Sequence, residues 1–242
     1  GIKAGNWALS AGVAVDKLPH DPETLHAFEV GVKSAEIIKD AKVNASLFYY
    51  DYHDYQAFSM TGMSPQISNS DASVSGGEIS LLWQATDALL VHLGGAWLDS
   101  RVDQVKGPGE WQSPVGGTVI DFPIDTLKDV KLPNAPELSL NYSFNYQWQF
   151  GRDTINWQLD GAYYGDQFLE VTNGGGAFQS SYHVLNSSIS FSGFDDSLVV
   201  TLWGKNLSDT VYKQYNLDLG MLGATSYYAP PRSVGISIRY QW

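Results

Sequence analysis

The densest group of side chains with potential for chemistry lies near the start of the chain. Four ligand-type residues fall close together there: His20, Asp21, Glu23 and His26. Imidazole nitrogens and carboxylate oxygens are common zinc ligands, so the spacing is compatible with a metal site. Loops with scattered histidine and aspartate residues are also common in proteins that hold no metal, and we therefore predict no metal site.

A hydrolytic site is the main enzymatic alternative, because serine, histidine and aspartate side chains that the fold brings together could form a catalytic triad. Serines occur throughout the chain, but no Gly-x-Ser-x-Gly nucleophile elbow is present. The Gly204-Lys205-Asn206 segment lacks the glycine spacing of a phosphate-binding loop. His53 and His92 stand in no recognisable ligand pattern. We therefore predict no catalytic residue and no cofactor.

Small-molecule binding is the remaining chemistry. Its candidates are aromatic and thioether side chains in long segments rich in glycine, proline, asparagine, aspartate and serine. The candidates that we single out are Met60, Met63, Trp111, Tyr227 and Tyr228. Aromatic side chains in loops often just pack the loop onto the structure beneath, and the identity of a substrate does not follow from these residue types.

Composition restricts the partners. The chain has 26 acidic and 14 basic residues and a formal net charge of -12. This charge opposes contact with a phosphate backbone, so we predict no nucleic-acid partner. The absence of cysteine excludes disulfides and thiolate chemistry. The 14 tyrosines and 8 tryptophans suit a boundary between water and lipid.

The elements that must position these side chains are predicted by a period of two, which is the side-chain repeat of a β-strand. Residues 138–148 alternate large apolar side chains with serine, asparagine and glutamine, and residues 234–242 repeat the pattern up to the final tryptophan. Alternation predicts nine strands, at about 25–33, 42–56, 74–84, 88–102, 138–148, 155–164, 185–191, 198–206 and 234–242.

Short and long connections alternate between these strands. Short turns are predicted at 36–40, 85–87, 151–153 and 193–197, and long loops at 57–73, 103–136, 172–181 and 207–231. In an antiparallel sheet, this order places every short turn at one end and every long loop at the other. Outer-membrane barrels show the same asymmetry between periplasmic turns and external loops.

Strand length favours a membrane. Strands of about ten or more residues match a tilted membrane crossing, whereas globular strands usually have about five or six. We therefore predict an all-β fold, an antiparallel transmembrane β-barrel whose apolar face meets lipid and whose polar face lines a wet interior. A passive porin-like barrel and a secreted soluble β-sandwich binding protein remain as alternatives, because alternation also permits a sheet with a packed apolar face.

Four segments, in order along the chain, resemble the C-terminal barrel of TonB-dependent outer-membrane receptors. They are Pro22–Thr24 with Phe28–Lys33, Asn44–Tyr52 with Asp54–Gln56, Leu202–Asp209 followed by Tyr212, and Ala229–Arg232 with the terminal strand. Gly77-Glu78 and Leu132–Pro136 are weaker matches. Together these segments span nearly the whole chain.

The resemblance implies a larger barrel, since receptors of this family have about 22 strands around a plug. We expect residues 1–242 to be the C-terminal portion, about nine strands, with the plug domain and the N-terminal strands absent. The implied function is TonB-energised uptake of a scarce nutrient, most often a ferric siderophore, across the cell outer membrane of a Gram-negative bacterium. The implied partners are outer-membrane lipid, the barrel-assembly machinery, the small-molecule ligand, and TonB through the absent N-terminal region.

The terminal strand also resembles the assembly signal of the family, in which alternating apolar residues and a final aromatic are read by the insertion machinery. The residues of this predicted signal are Val234, Ile236, Ile238, Tyr240 and Trp242. The alternative is that they form merely another lipid-facing strand.

Overall fold

Nine long antiparallel strands form most of the computed structural model of the chain, as the period of two predicts. The structure describes residues 1–8, 15, 18–61, 64–105, 110–112, 119–121, 127–194, 197–219 and 223–242. The long strands are β1 (Glu23–Ile38), β2 (Ala41–Thr61), β3 (Ser64–Gln84), β4 (Leu89–Val105), β5 (Leu138–Phe150), β6 (Asp153–Tyr164), β7 (Tyr182–Gly193), β8 (Leu198–Lys205) and β9 (Ser233–Tyr240).

Shorter elements lie in the connections. Ile2–Lys3 pairs with β1 and Leu127–Val130 pairs with β4, which brings the main sheet to 11 strands. Gly175–Ala177 forms a 3₁₀ turn. Two-stranded ribbons join Asn6–Trp7 to Pro19–His20, Glu110–Gln112 to Val119–Asp121, Gln167–Phe168 to Phe178–Gln179, and Lys213–Asp218 to Ala224–Tyr228. Within the described ranges, no helix is long and apolar enough to cross a membrane.

Each long strand pairs with the next one along the chain, from β1 to β9, and every pair is antiparallel. Antiparallel neighbours can be joined by tight turns, so this order needs no crossover connection. The turns after β1, β3, β5 and β7 lie at one end of the sheet, as predicted. Asp40 in the first of them has a φ of 60°, a left-handed conformation that a short polar residue tolerates.

One predicted loop is wrong. Residues 57–73 were expected to form a long connection, but β2 and β3 continue as a paired ribbon up to Thr61 and Ser64. A register shift between Tyr52 and Tyr55 marks where the ribbon changes character. Beyond that shift neither face shows a run of large apolar residues. The sequence there lacks the alternation by which a strand is recognised. Met60 therefore lies in a strand and not in a loop.

The two faces of the sheet differ because side chains alternate and the pairing keeps them in rows. Val30, Leu47 and Trp97 share one cross-strand row, in which Gly77 stands between the last two. These three side chains are 70%, 64% and 55% exposed. A soluble sheet would bury such a face against a second layer, and here it stays open across the strands.

Glycines allow large side chains to lie across neighbouring strands. A Cβ at Gly161 would come within 2.5 Å of the Tyr142 ring, whose hydroxyl is 2.8 Å from His183 Nε2. On the polar face the Trp203 ring lies over Gly235 in the same way. Both glycines are therefore required for a close approach of an aromatic ring, independently of any turn.

The buried apolar core lies at the long-loop end of the sheet. Its members come from β2, β3, β4 and two connections: Ala57, Ala72, Val102, Val105, Val130 and Val171, with Tyr52, Tyr55 and Leu132 packed against them. Tyr52, Ala72 and Val102 occupy one cross-strand row. This core joins the long-loop ends of β2, β3 and β4 to the connections. It does not cover the exposed apolar face of the sheet.

The exposed apolar face leads to a prediction about charge. Leu202 is 58% exposed in the middle of β8. Leu202→Arg should destabilise the full-length protein in a lipid bilayer by about 2–4 kcal/mol if the site is near the bilayer midplane, because arginine must be removed from water. The matched control is Gln158→Arg, which places the same charge on the polar face. Denaturant unfolding in lipid vesicles measures both, and equal effects of the two substitutions would contradict the assignment of the faces.

Candidate functional site at the long-loop end

The polar face of β5, β6 and β7 carries a row of hydrogen-bonding side chains. Asp160 stands opposite Ser143 on one side and Asn186 on the other. Asn186 Nδ2 donates to Asp160 Oδ2 at 2.8 Å, and Gln158 Nε2 donates to Asp160 Oδ1 at 3.3 Å. The carboxylate is therefore held in a fixed orientation on the wall of the sheet.

Three tyrosines stand in contact where this wall meets the loops. The ring centroids of Tyr164 and Tyr182 are 5.2 Å apart. Tyr182 also stacks on Tyr212, at 4.3 Å with an interplanar angle of 11°. Each aromatic pair of this kind contributes about 0.5–1.5 kcal/mol beyond the area that it buries. The stack therefore attaches the loop after β8 to the first residue of β7.

A lysine strengthens the same junction. Lys213 Nζ donates to the carbonyl oxygens of Gly176 at 2.7 Å and Phe178 at 3.0 Å. The backbone N–H of Lys213 donates to the side-chain oxygen of Gln179 at 2.7 Å, and Gln179 is buried. The ammonium thus stabilises the connection between β6 and β7, with its charge already engaged by carbonyl groups.

These groups line an open cavity of about 650 Å³. Its lining combines aromatic rings with amide, carboxylate and imidazole groups; the members used here are Asn141, Asp160, Tyr164, Tyr182, Tyr212 and His92. A second cavity of about 780 Å³ lies lower on the same face and shares His92 and Asn141 with the first. Aromatic walls with a few fixed polar groups suit recognition of a small molecule. His92 stands opposite Ser143 on the polar face.

The structure places Met60, Tyr227 and Tyr228, three of the predicted ligand candidates, at the long-loop end. Tyr227 and Tyr228 lie on the second strand of the hairpin Lys213–Asp218 with Ala224–Tyr228, where they are 58% and 57% exposed. The backbone of Trp111 lies in the short strand Glu110–Gln112, and Met63 lies outside the described residues. Met60, Tyr227 and Tyr228 do not line the 650 Å³ cavity. A role for these residues in binding stays a prediction.

Sequence reasoning missed the tyrosine stack. Tyr164 and Tyr182 fall within or next to predicted strands, and Tyr212 lies in a long loop. The available signal was the position of Tyr164 on the polar face of its strand, where a large ring needs a partner other than lipid. The stacking partners come from different connections, and the chain order gives no indication that they meet.

The histidine and carboxylate group near the start of the chain is held by other contacts. His20 stands opposite Asn6 in a short ribbon, and Glu23 Oε2 accepts a hydrogen bond from the backbone N–H of Gln56 at 2.9 Å. His26 packs edge-on against His53 at 5.5 Å. In the part of the chain that the structure describes, no group of three or more histidine and carboxylate side chains is arranged to hold a metal ion.

Ion pairs fasten the connection before β5 to the sheet. Lys131 Nζ lies 2.6 Å from Asp99 Oδ1 and 3.1 Å from Glu137 Oε1. The hydrogen bond from Lys131 to Asp99 raises the pKa of the lysine, against a smaller opposing effect of burial, and Glu137 raises the pKa further. The charged lysine is thus stabilised by both carboxylates at the outer edge of the wall.

The predicted assembly signal lies on the free edge of the sheet. Val234, Ile236, Ile238 and Tyr240 alternate along β9 and are all exposed on its apolar face. Trp242 follows the end of the strand and is completely exposed. The geometry agrees with the predicted alternation, and recognition by assembly machinery stays a prediction.

Comparison with known proteins identifies the class to which this wall and its loops belong. The family model described as "TonB dependent receptor-like, beta-barrel" matches residues 4–207. The chain belongs to this family, and the resemblance seen in the sequence is confirmed. Proteins of this family are receptors and transporters of the outer membrane of Gram-negative bacteria.

Solved structures show the same fold. The ferric yersiniabactin uptake receptor FyuA from Yersinia pestis matches with a TM-score of 0.76 and 19% identity, over 99% of this chain and 33% of that chain. The ferric-catecholate import receptor Fiu from E. coli K12, in its closed form, matches with 0.64 and 19%, over 98% and 30%. The copper transporter OprC matches with 0.63 and 16%, over 91% and 30%. The chain therefore spans about a third of the length of these structures.

The Lys131 ion pairs lead to a prediction about pH. Lys131→Met should loosen residues 131–137 and speed their cleavage by subtilisin severalfold at neutral pH, because exposed pairs contribute up to about 1 kcal/mol. The folded-state pKa is raised above its ordinary value of 10.5, so the stabilisation is complete below that pH and is lost as pH rises through the folded value. The cleavage ratio of variant to receptor should stay constant from pH 7 to about 10 and then approach one.

Lys128→Met is the control for this measurement, since Lys128 is an exposed lysine of the neighbouring short strand. The control should cleave at the rate of the unmodified receptor. A ratio for Lys131→Met that is already one at pH 8 would contradict the role of the ion pairs.

Proposed function

We propose that this chain is the C-terminal part of the barrel of an outer-membrane receptor that imports a ferric siderophore or a similar iron complex, with energy supplied through TonB. The chain contributes wall strands, external loops and the assembly signal. A plug domain and the segment that contacts TonB belong, in this proposal, to the rest of the receptor.

The observation that carries the proposal is the difference between the two faces of the sheet, one apolar and one polar, next to the connections at the long-loop end. One face exposes apolar rows such as Val30, Leu47 and Trp97, which suits contact with hydrocarbon. The other face carries Asn141, Asp160 and other polar groups toward the interior. Membership in the family of TonB-dependent receptor-like barrels supports a role in uptake across the outer membrane.

A metal complex as cargo is supported by the named functions of the similar structures. Two of them are receptors for iron complexes and a third is a copper transporter. The tyrosine stack and the amide groups of the 650 Å³ cavity offer flat surfaces and hydrogen bonds to a rigid organic chelator. This cavity is the part of the chain in which we place the first contacts with cargo.

The uptake test uses the full-length receptor in the outer membrane of cells that lack other receptors. Iron-55 is supplied as a catecholate, a hydroxamate and a citrate complex, with and without an uncoupler that removes the proton gradient. We expect concentrative, uncoupler-sensitive uptake of at least one complex. Flux of all three that is unaffected by the uncoupler would favour a passive pore and contradict the proposal, as would the absence of uptake at a normal receptor level.

The assembly signal has its own test. Deletion of Trp242 from the full-length receptor should lower its amount in the outer membrane severalfold, because the exposed aromatic at the end of β9 is the proposed recognition element. Gln241→Ala is the matched control, since it alters the adjacent polar side chain and keeps the final aromatic. Immunoblots of outer-membrane fractions measure both. Unchanged levels after removal of Trp242 would show that β9 is merely another lipid-facing strand.

A further inference from the structure

Asn206 occupies the point where β8 leaves the sheet and the last long loop begins. Its backbone has a φ of 48°, and the residue is only 5% exposed. Asparagine is among the few residues with a side chain that adopt this left-handed conformation readily. The position thus combines a special backbone geometry with a buried amide, which must find hydrogen-bond partners.

The side-chain amide of Asn206 satisfies all of its hydrogen-bonding groups within one loop. Its Nδ2 donates to the carbonyl oxygens of Thr210 at 3.0 Å and Pro230 at 3.3 Å. Its Oδ1 accepts from the backbone N–H of Thr210 at 3.0 Å. Thr210 stands at the start of the loop and Pro230 at its end, so one side chain holds both ends together.

The same residue is tied to the inner wall. The backbone N–H of Asn206 donates to Asn186 Oδ1 at 2.9 Å, and Asn186 Nδ2 donates to Asp160 Oδ2 at 2.8 Å. Asp160 accepts, so it determines which end of the Asn186 amide faces Asn206. A continuous chain of hydrogen bonds therefore runs from the cavity wall to the base of the loop.

Further contacts close the base of the loop around this chain. Asp209 Oδ1 accepts from the backbone N–H of Arg232 at 2.9 Å, and the Thr210 hydroxyl donates to the carbonyl oxygen of His183 at 2.7 Å. Directly above, the backbone N–H of Ala229 donates to the carbonyl oxygen of Tyr212 at 2.9 Å. Tyr212 then stacks on Tyr182 in the cavity wall.

We propose that Asn206 is the positioning residue of the last external loop. Asn186 and Asp160 hold its backbone, and its side-chain amide binds both ends of the loop, which fixes the strands Lys213–Asp218 and Ala224–Tyr228 against the wall and so sets the shape of the cavity. The inference rests on the proposed function for its relevance to cargo. The placement of the hairpin can be measured without any ligand, so it can fail or succeed separately from that function.

The decisive measurement is the distance between spin labels on the full-length receptor in lipid, one at Thr225 on the hairpin and one at Gln149 on the polar face of the wall, outside the Asp160 network. Both side chains are exposed, and residues 1–242 contain no cysteine that would compete for the label. Asn206→Asp keeps the shape and tolerates the backbone conformation but loses both N–H donors. Asn206→Gly keeps the backbone conformation and loses the whole amide.

Both variants should broaden the distance distribution at least twofold, while the unfolding midpoint of the receptor stays within the range of the controls.

Asn156→Asp is the matched control, because Asn156 pairs with Asn145 on the same polar face at 3.0 Å. This control should keep the narrow distribution. A narrow distribution in Asn206→Gly would show that the backbone conformation suffices, and a broad one in Asn156→Asp would indicate a general effect of the wall. Either result would overturn the proposal.

A variant at a different residue tests the proposal if receptors with substitutions at Asn206 do not assemble. Asn186→Val removes the acceptor for the Asn206 backbone N–H and should broaden the distribution to a smaller extent. No broadening in this variant would also overturn the proposal. For any of the three iron-55 complexes that the unmodified receptor imports, Asn206→Asp should raise the KM about tenfold with the maximal rate changed less than twofold.

Discussion

An unbroken ladder of backbone hydrogen bonds is the constraint on which the rest of the structure depends. A wall that faces hydrocarbon has no water to satisfy an unpaired N–H or C=O group. The pairing of β1 with β2 runs without a register shift from Thr24 to Ser34, which includes its apolar rows. The shifts between Ser34 and Ile38, and between Tyr52 and Tyr55, fall at the two ends of this stretch. Irregular backbone is thus kept to the parts where the apolar pattern has stopped.

Because side chains alternate along the hydrogen-bond ladder, the two faces of the sheet differ in composition. One face carries exposed apolar side chains that no protein layer covers, which suits contact with hydrocarbon. The other face carries asparagine, glutamine, serine and aspartate, which suits contact with water. Toward the long-loop end, the polar face gives way to the buried core around Val102 and Val105, where side chains from the connections cover the apolar groups. The Tyr182–Tyr212 stack and the Asn206 amide lie on this rim, where the sheet meets the long loops.

The sequence allowed the wall to be predicted well and the rim poorly, for physical reasons. All nine long strands were located because large apolar residues recur at every second position on one face, and this alternation is visible in the sequence. The ribbon that carries Met60 was missed because neither of its faces carries a run of large apolar residues. The Asn206 site was seen as part of a motif, Leu202–Asp209, without a role for its amide. One partner of that amide, Pro230, lies at the far end of a long loop, and no local pattern relates the two.

The contact of the apolar rows with hydrocarbon can be measured directly by depth-dependent quenching. Single fluorescent labels at Leu140 and Ile236, and at their neighbours Asn141 and Ser237, are compared in full-length receptor reconstituted with brominated lipids. The account predicts strong quenching at Leu140 and Ile236 and little at Asn141 and Ser237. Equal quenching at all four positions, or stronger quenching at Asn141 and Ser237, would contradict it.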